Sequence, residues 1–201
     1  MRGAMFLRNR LFIAFAAFFC ATGQPSFAEI VDVVITFSDP LCNESCQELV
    51  ARTYRGVSQV EDVTVSPGQV LLQWRPDADF SYQMVSNPMR LVGLSIHGIF
   101  VTVRGNVRVD GQKATITSAG GTTTFNLTSA PAPRAGQYVQ FNNPEAFQLL
   151  ADLKKQLQEA EQNQDTVIIS GFLLMPHRMP LTLVVNNLSI EDDEEEQIKS
   201  R

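Results

Sequence analysis

The stretch EIVDVVITFS is β-branched and apolar, and it predicts a strand. The period then changes. Cys46, Leu49, Val50, Tyr54 and Val57 recur at helical spacing, so a helix is expected here, with Asn43 as its N-cap and Gly56 at its end. Glu44 and Glu48 set negative charge near the positive end of that helix. VEDVTV and QVLLQW read as two strands joined by a Pro-Gly turn in SPGQ. SYQMVSNPMRLVG predicts a second helix, either kinked at Pro88 or starting late with Ser86 as cap. LSIHGIFVTV returns as a strand. From Gly98 the pattern is dominated by alternation: GIFVTVRGNVRV, a turn at Asp110-Gly111, QKATITSA, a turn at Gly120-Gly121, and TTTFNLTS. After the loop APAPRAGQYVQFNNP, EAFQLLADLKKQLQEAEQ predicts a helix with Phe147, Leu150, Leu153 and Leu157 on one face. DTVIISGFLLM and LTLVVNNLSIE close as a hairpin across PHRMP.

The first half thus runs βαββαβ with two cysteines, in CNESCQELV, at the first strand–helix junction. With GVSQVEDVTV, GQVLLQW and Gly93-Leu94, it resembles the heavy-metal-associated domain over residues 30–98. That family includes periplasmic mercury-binding proteins and copper chaperones. The resemblance implies a ferredoxin-like fold with the cysteines on an exposed loop. The chain departs from the family pattern in three places: the spacing is C-x-x-x-C where the family has C-x-x-C, Pro40 stands where a methionine is usual, and Leu94 replaces an aromatic residue. In the second half, the order of three strands, a helix and two strands resembles the OB-fold, as do VTVRGNV and IISGFL. The expected fold class is α+β: a ferredoxin-like βαββαβ domain over 29–98, then a five-stranded OB-fold-like barrel with one helix over 99–190. Almost no linker separates the two units, so their strands are expected to run as one ribbon in a rigid pair.

Residues 1–28 read differently from the rest. Arg2, Arg8 and Arg10 precede a short apolar core, LFIAFAAFFCA, and PSFA ends with small residues at Ser26 and Ala28. This is the pattern of a secretory signal peptide cleaved after Ala28, and it would discard Cys20. The expected location is periplasmic or secreted, without stable membrane insertion after cleavage. Without those three arginines, thirteen basic residues face twenty-one acidic ones, a net charge near −8. Six of the acids form the run EDDEEE at 191–196, read as a solvated, disordered tail over 191–201. Such a balance argues against nucleic acid as a partner.

Chemistry therefore centres on Cys42 and Cys46. Thiolates are soft ligands that suit Cu(I), Hg(II) or Zn(II), and Cys46 near a helix N-terminus would have its thiolate favoured. Residues four apart at a helix start also lie within disulfide range, and an exported chain meets an oxidising compartment. The leading expectation is an exported carrier or sequestering protein for a soft metal ion such as Cu(I), held by Cys42 and Cys46. The alternative is a non-catalytic module in which the pair is a disulfide and the barrel contacts a protein partner. Thiol–disulfide exchange is a weaker reading, because the C-x-x-C of such redox motifs is missing. MPHRMP adds Met175, His177 and Met179 as further soft-metal candidates at alternate positions, although a proline-bounded loop is the plainer reading. His97 reads as a core or interface histidine. Phe100, Phe125, Tyr138, Phe141 and Phe172 read as barrel core. With no nucleophile–base pair or phosphate-cradling glycine loop to argue from, the protein is expected not to be an enzyme.

Overall fold

The computed structural model describes residues 29–38, 42–76, 78–118, 123–131 and 147–191. Residues 1–28, read as a signal peptide, Pro40, Gly120-Gly121, read as a turn, Tyr138, Phe141 and residues 192–201, read as tail, lie outside them. The described elements are β1 (Glu29–Phe37), α1 (Glu44–Arg55), β2 (Val60–Ser66), β3 (Gln69–Trp74), α2 (Tyr82–Val92), β4 (Ile96–Gly105), β5 (Val107–Asp110), β6 (Lys113–Thr117), β7 (Thr124–Ser129), α3 (Ala151–Asn163), β8 (Val167–Leu174) and β9 (Leu181–Ile190). The fold is α+β, with a mixed sheet in the order β2-β3-β1-β4-β8-β9-β7-β6-β5.

In the first half, β1 lies between β3 and β4 and is antiparallel to both. Its alternation puts Val33 and Ile35 on one face, level with Leu72 and Val70 on β3 and with Val101 and Ile99 on β4. All six are buried. Helices α1 and α2 contribute Val50, Ala51, Tyr54, Val85 and Met89 to the same core. Helix α2 starts at Tyr82 with Ser81 as N-cap, one turn before Ser86, and carries Pro88 inside it. Gly93 ends it with a left-handed backbone, φ 81°, and the next residue, Leu94, is buried.

Tyr54 ties the two helices together. Its buried hydroxyl donates to the Val85 carbonyl at 2.6 Å, and burial pushes the phenol well above its ordinary pKa. The folded protein therefore keeps this proton where the unfolded chain loses it, above about pH 10. The stability tied to the neutral phenol is full below that pH and falls as pH rises beyond it. Tyr54→Phe is expected to lose about 1 kcal/mol at neutral pH and to flatten the alkaline fall, as read from urea midpoints at pH 7 and above pH 10.

β4 is ten residues long; it pairs with β1 along its length and with β8 from Phe100 onward. The boundary expected between 98 and 99 thus falls inside one strand, and hydrogen bonding continues across it. The ladders form one open sheet with β2 and β5 at its edges, rather than a self-contained five-stranded barrel. β5 nevertheless follows β4 after Asn106, so an edge strand is covalently tied to a central one. β7 and β9 are parallel, and every other ladder is antiparallel. α3 packs against β5 and buries Leu157 and Ala160.

α3 starts at Ala151, later than its apolar stripe suggests. Ser129 accounts for this: its N–H donates to the Gln148 carbonyl at 3.3 Å and its hydroxyl accepts from Leu150 N–H at 3.1 Å. These bonds hold residues 148–150 against β7. Phe147 instead packs with Leu174 and Val184, and Leu150 is exposed. Glu191, the first residue of the expected tail, pairs with Arg104 at 2.8 Å, and Glu29 approaches the same guanidinium at 3.4 Å. Arg104 thereby ties the start of β1 to the end of β9, and its pKa is raised, chiefly by the hydrogen bond to Glu191.

Candidate functional site at the cysteine pair

Asn43 shapes the site. Its extended backbone, φ −77° and ψ −175°, breaks the helix on its N-terminal side. Its side-chain oxygen accepts from the Cys46 N–H at 3.2 Å, and its carbonyl accepts from the Gln47 N–H at 3.0 Å. Cys42 is therefore the residue before the cap, and Cys46 is the third residue of α1. The chain reversal at the cap brings their Cα atoms to 5.1 Å, and the two sulfurs are bonded as a disulfide. Both cysteines are half-buried and pack against the rim of the main core. The bridge joins the residue before the cap to the third helical residue, one position short of a hydrophobic staple, and fixes the angle at which the chain enters α1.

A sulfur bonded to sulfur is not a thiolate, so this arrangement holds no soft ion while the bond stands. Reduction would leave the Cys46 sulfur in the first turn of α1, where the helix dipole favours the anion. Among the described residues, no group of three or more His, Cys, Asp or Glu side chains could hold a metal ion.

Met175, His177 and Met179 lie between β8 and β9 in a turn, not on a strand, so alternate numbering does not give them a common face. Met175, at φ 49°, packs against the Phe147, Leu174 and Val184 cluster. His177 is exposed, and Met179 is 78% exposed. His97 is also exposed, not core; it sits at the register shift where Thr36 pairs with Gly98 and Phe37 with Ile96. Of the aromatic residues read as barrel core, Phe125 is fully buried, but Phe100 is 37% exposed and Phe172 is half-buried. Phe100 and Phe172 are direct cross-strand partners on the face turned away from α1 and α2. The signal was present in the alternation, because Phe100 is out of phase with the buried Ile99, Val101 and Val103.

No helix among the described residues is long and apolar enough to cross a membrane. No protein-family model, curated protein or solved structure matches this chain.

Proposed function

We propose that the protein is an exported, non-catalytic binding module whose Cys42–Cys46 pair is a structural disulfide. The observation that carries this reading is the bond itself, formed across the N-cap of α1 and packed against the core. The signal-like leader supports export, since an oxidising compartment preserves such a bridge. Within this reading the first half is a ferredoxin-like unit, supported by the βαββαβ order and the antiparallel arrangement β2-β3-β1-β4. The second half is an OB-like coil, supported by the helix between β7 and β8 and by the parallel β7–β9 pair.

A second reading keeps the pair as a soft-metal site, carrying or sequestering an ion such as Cu(I). It is favoured by the position of Cys46 in the first turn of α1.

Intact mass and free-thiol titration of the exported chain separate the two. The module reading expects no free thiol, a mass two hydrogens short, and no Cu(I) retained against a chelator even after reduction. A pair that is reduced as exported and holds one Cu(I), lost in Cys42→Ser, would establish the carrier instead. The bridge closes a short loop, so its reduction should lower stability by about 2 kcal/mol or less.

A further inference from the structure

A cavity of about 510 Å³ lies beside β7, on the side of the strand opposite the buried Phe125 and Leu127. Alternation along β7 puts Asn126 and Thr128 on that side, and the register sets Thr182 of β9 directly beside Asn126. Asn126, Thr128 and Thr182 line the cavity, together with Lys113 at the start of β6. Its other wall is formed by Phe147, Gln148 and Leu149. The bonds from Ser129 to Gln148 and Leu150 hold this stretch alongside β7, and Phe147 is set against Phe172, with ring centroids 6.3 Å apart. The volume falls within the roughly 300–1,000 Å³ of small-ligand sites.

Two features of the wall point to a ligand. The first is unspent hydrogen bonding. Thr128 is 5% exposed, yet its hydroxyl has no hydrogen-bond partner among the described residues. Buried hydroxyls are ordinarily paired, and this one belongs to a cavity wall. The side chains of Asn126 and Thr182 also make no hydrogen bond among the described residues, whereas Thr117 and Thr124, farther along the same face, bond each other at 3.1 Å. The second feature is charge. Among the described residues that line the cavity there is no aspartate or glutamate, and Lys113 is in no ion pair. Lys154 on α3 brings a second ammonium to the lining residue Gln112, donating to its Oε1 at 3.3 Å. Asp110 stands across from Lys113 on β5, and Arg108 on the same strand offsets it. A chain of net charge −5 thus holds a cavity that favours an anion.

We propose that this cavity takes the C-terminal end of a partner polypeptide, one that finishes in a free carboxylate on an apolar residue. Lys113, with Lys154 nearby, supplies the charge for the carboxylate. Asn126 and Gln148 each carry a donor and an acceptor on one amide, which complements the N–H and C=O of a peptide unit. Thr128 and Thr182 add hydroxyls. Phe147 and Leu149 give the last side chain an apolar wall. A sugar acid would use the ammonium groups and leave that wall unfilled.

This inference rests on the binding-module reading and names the partner's chemistry. The test uses the full exported chain and an N-acetylated tripeptide ending in leucine, supplied as the free acid and as the C-terminal amide, with glucuronic acid as a third probe. Titration calorimetry is expected to show the free acid bound about tenfold or more tighter than the amide. Lys113→Gln, at an exposed position, should weaken the acid about fivefold or more and narrow its advantage over the amide. Thr128→Val should weaken the acid as well, while leaving the melting temperature unchanged or higher, because it removes a buried hydroxyl that has no partner. Equal binding of acid and amide, binding indifferent to either variant, or no binding of the acid overturns the proposal. Glucuronic acid bound more tightly than the peptide overturns it by giving the cavity to a sugar acid. A lower melting temperature for Thr128→Val overturns it by showing that the hydroxyl is already paired. Failure here with the disulfide intact removes only this cavity; Cu(I) capture by a reduced pair removes the module reading.

Discussion

Gly171→Ala is expected to destabilise the protein by about 3 kcal/mol or more. Gly171 lies in β8, with Val101 of β4 on one side and Val185 of β9 on the other. A Cβ built there collides with the Val184 carbonyl oxygen, comes within 2.8 Å of its carbon, and meets the Leu183 side chain at 3.2 Å. The first two atoms are backbone in a paired strand and have no rotamer to escape into. β9 would have to move away from β8, at the register shift between Ser170 and Gly171, and the parallel β7–β9 ladder would move with it. For a domain of this size the loss corresponds to a fall in melting temperature of about 6–12 °C. Calorimetry of the variant measures it directly; a shift under about 2 °C would show that β9 yields easily and that the close approach carries no weight.

Phe125→Ala should cost about 3–5 kcal/mol, and the loss should be felt in both halves of the chain. Phe125 is fully buried on β7, and its ring lies 6.1 Å from Phe80, which lies 5.4 Å from Trp74 at the end of β3. Phe80 also exchanges hydrogen bonds with Thr123: its N–H donates to the Thr123 hydroxyl at 3.0 Å, and that hydroxyl reaches the Phe80 carbonyl at 3.5 Å. An aromatic chain therefore runs from the second half into the first. Trp74 is the single tryptophan, so its fluorescence reports the first half. Urea unfolding of Phe125→Ala followed at Trp74 should shift together with far-ultraviolet circular dichroism. A Trp74 transition left at its original midpoint would mean that the halves melt independently. A double-mutant cycle on Phe80→Leu and Phe125→Leu should give a coupling of about 0.5–1.5 kcal/mol.

Much of the architecture was legible along the chain because local chemistry agrees with the final fold. The β-branched, apolar run EIVDVVITFS marks β1, Asn43 and Gly56 bracket α1, and Asp110-Gly111 turns β5 into β6. The cysteine pair was legible as a pair from its spacing at the helix start, but spacing alone left metal, disulfide and exchange open. The bond across the Asn43 cap depends on how the chain enters α1.

Tertiary structure decided the rest. The helical period from Phe147 to Leu157 says nothing about Ser129, yet hydrogen bonds from Ser129 hold residues 148–150 out of α3. Met175, His177 and Met179 alternate in number, but a turn separates them, because alternation implies a shared face only within a strand. Apolar character made Phe100 and Phe172 look like core. Which side of the sheet they face follows from the phase of β4 and β8, and there Phe172 meets the Phe147 ring at 6.3 Å. Residues by themselves determined that this chain makes strands, helices and a close cysteine pair, since these rest on neighbours in sequence. Pairing β4 with β1 on one edge and β8 on the other joined the halves into one sheet and set Phe100 beside Phe172 on the face away from α1 and α2. Strand partners far apart along the chain have no local signal, so only the folded packing could decide that.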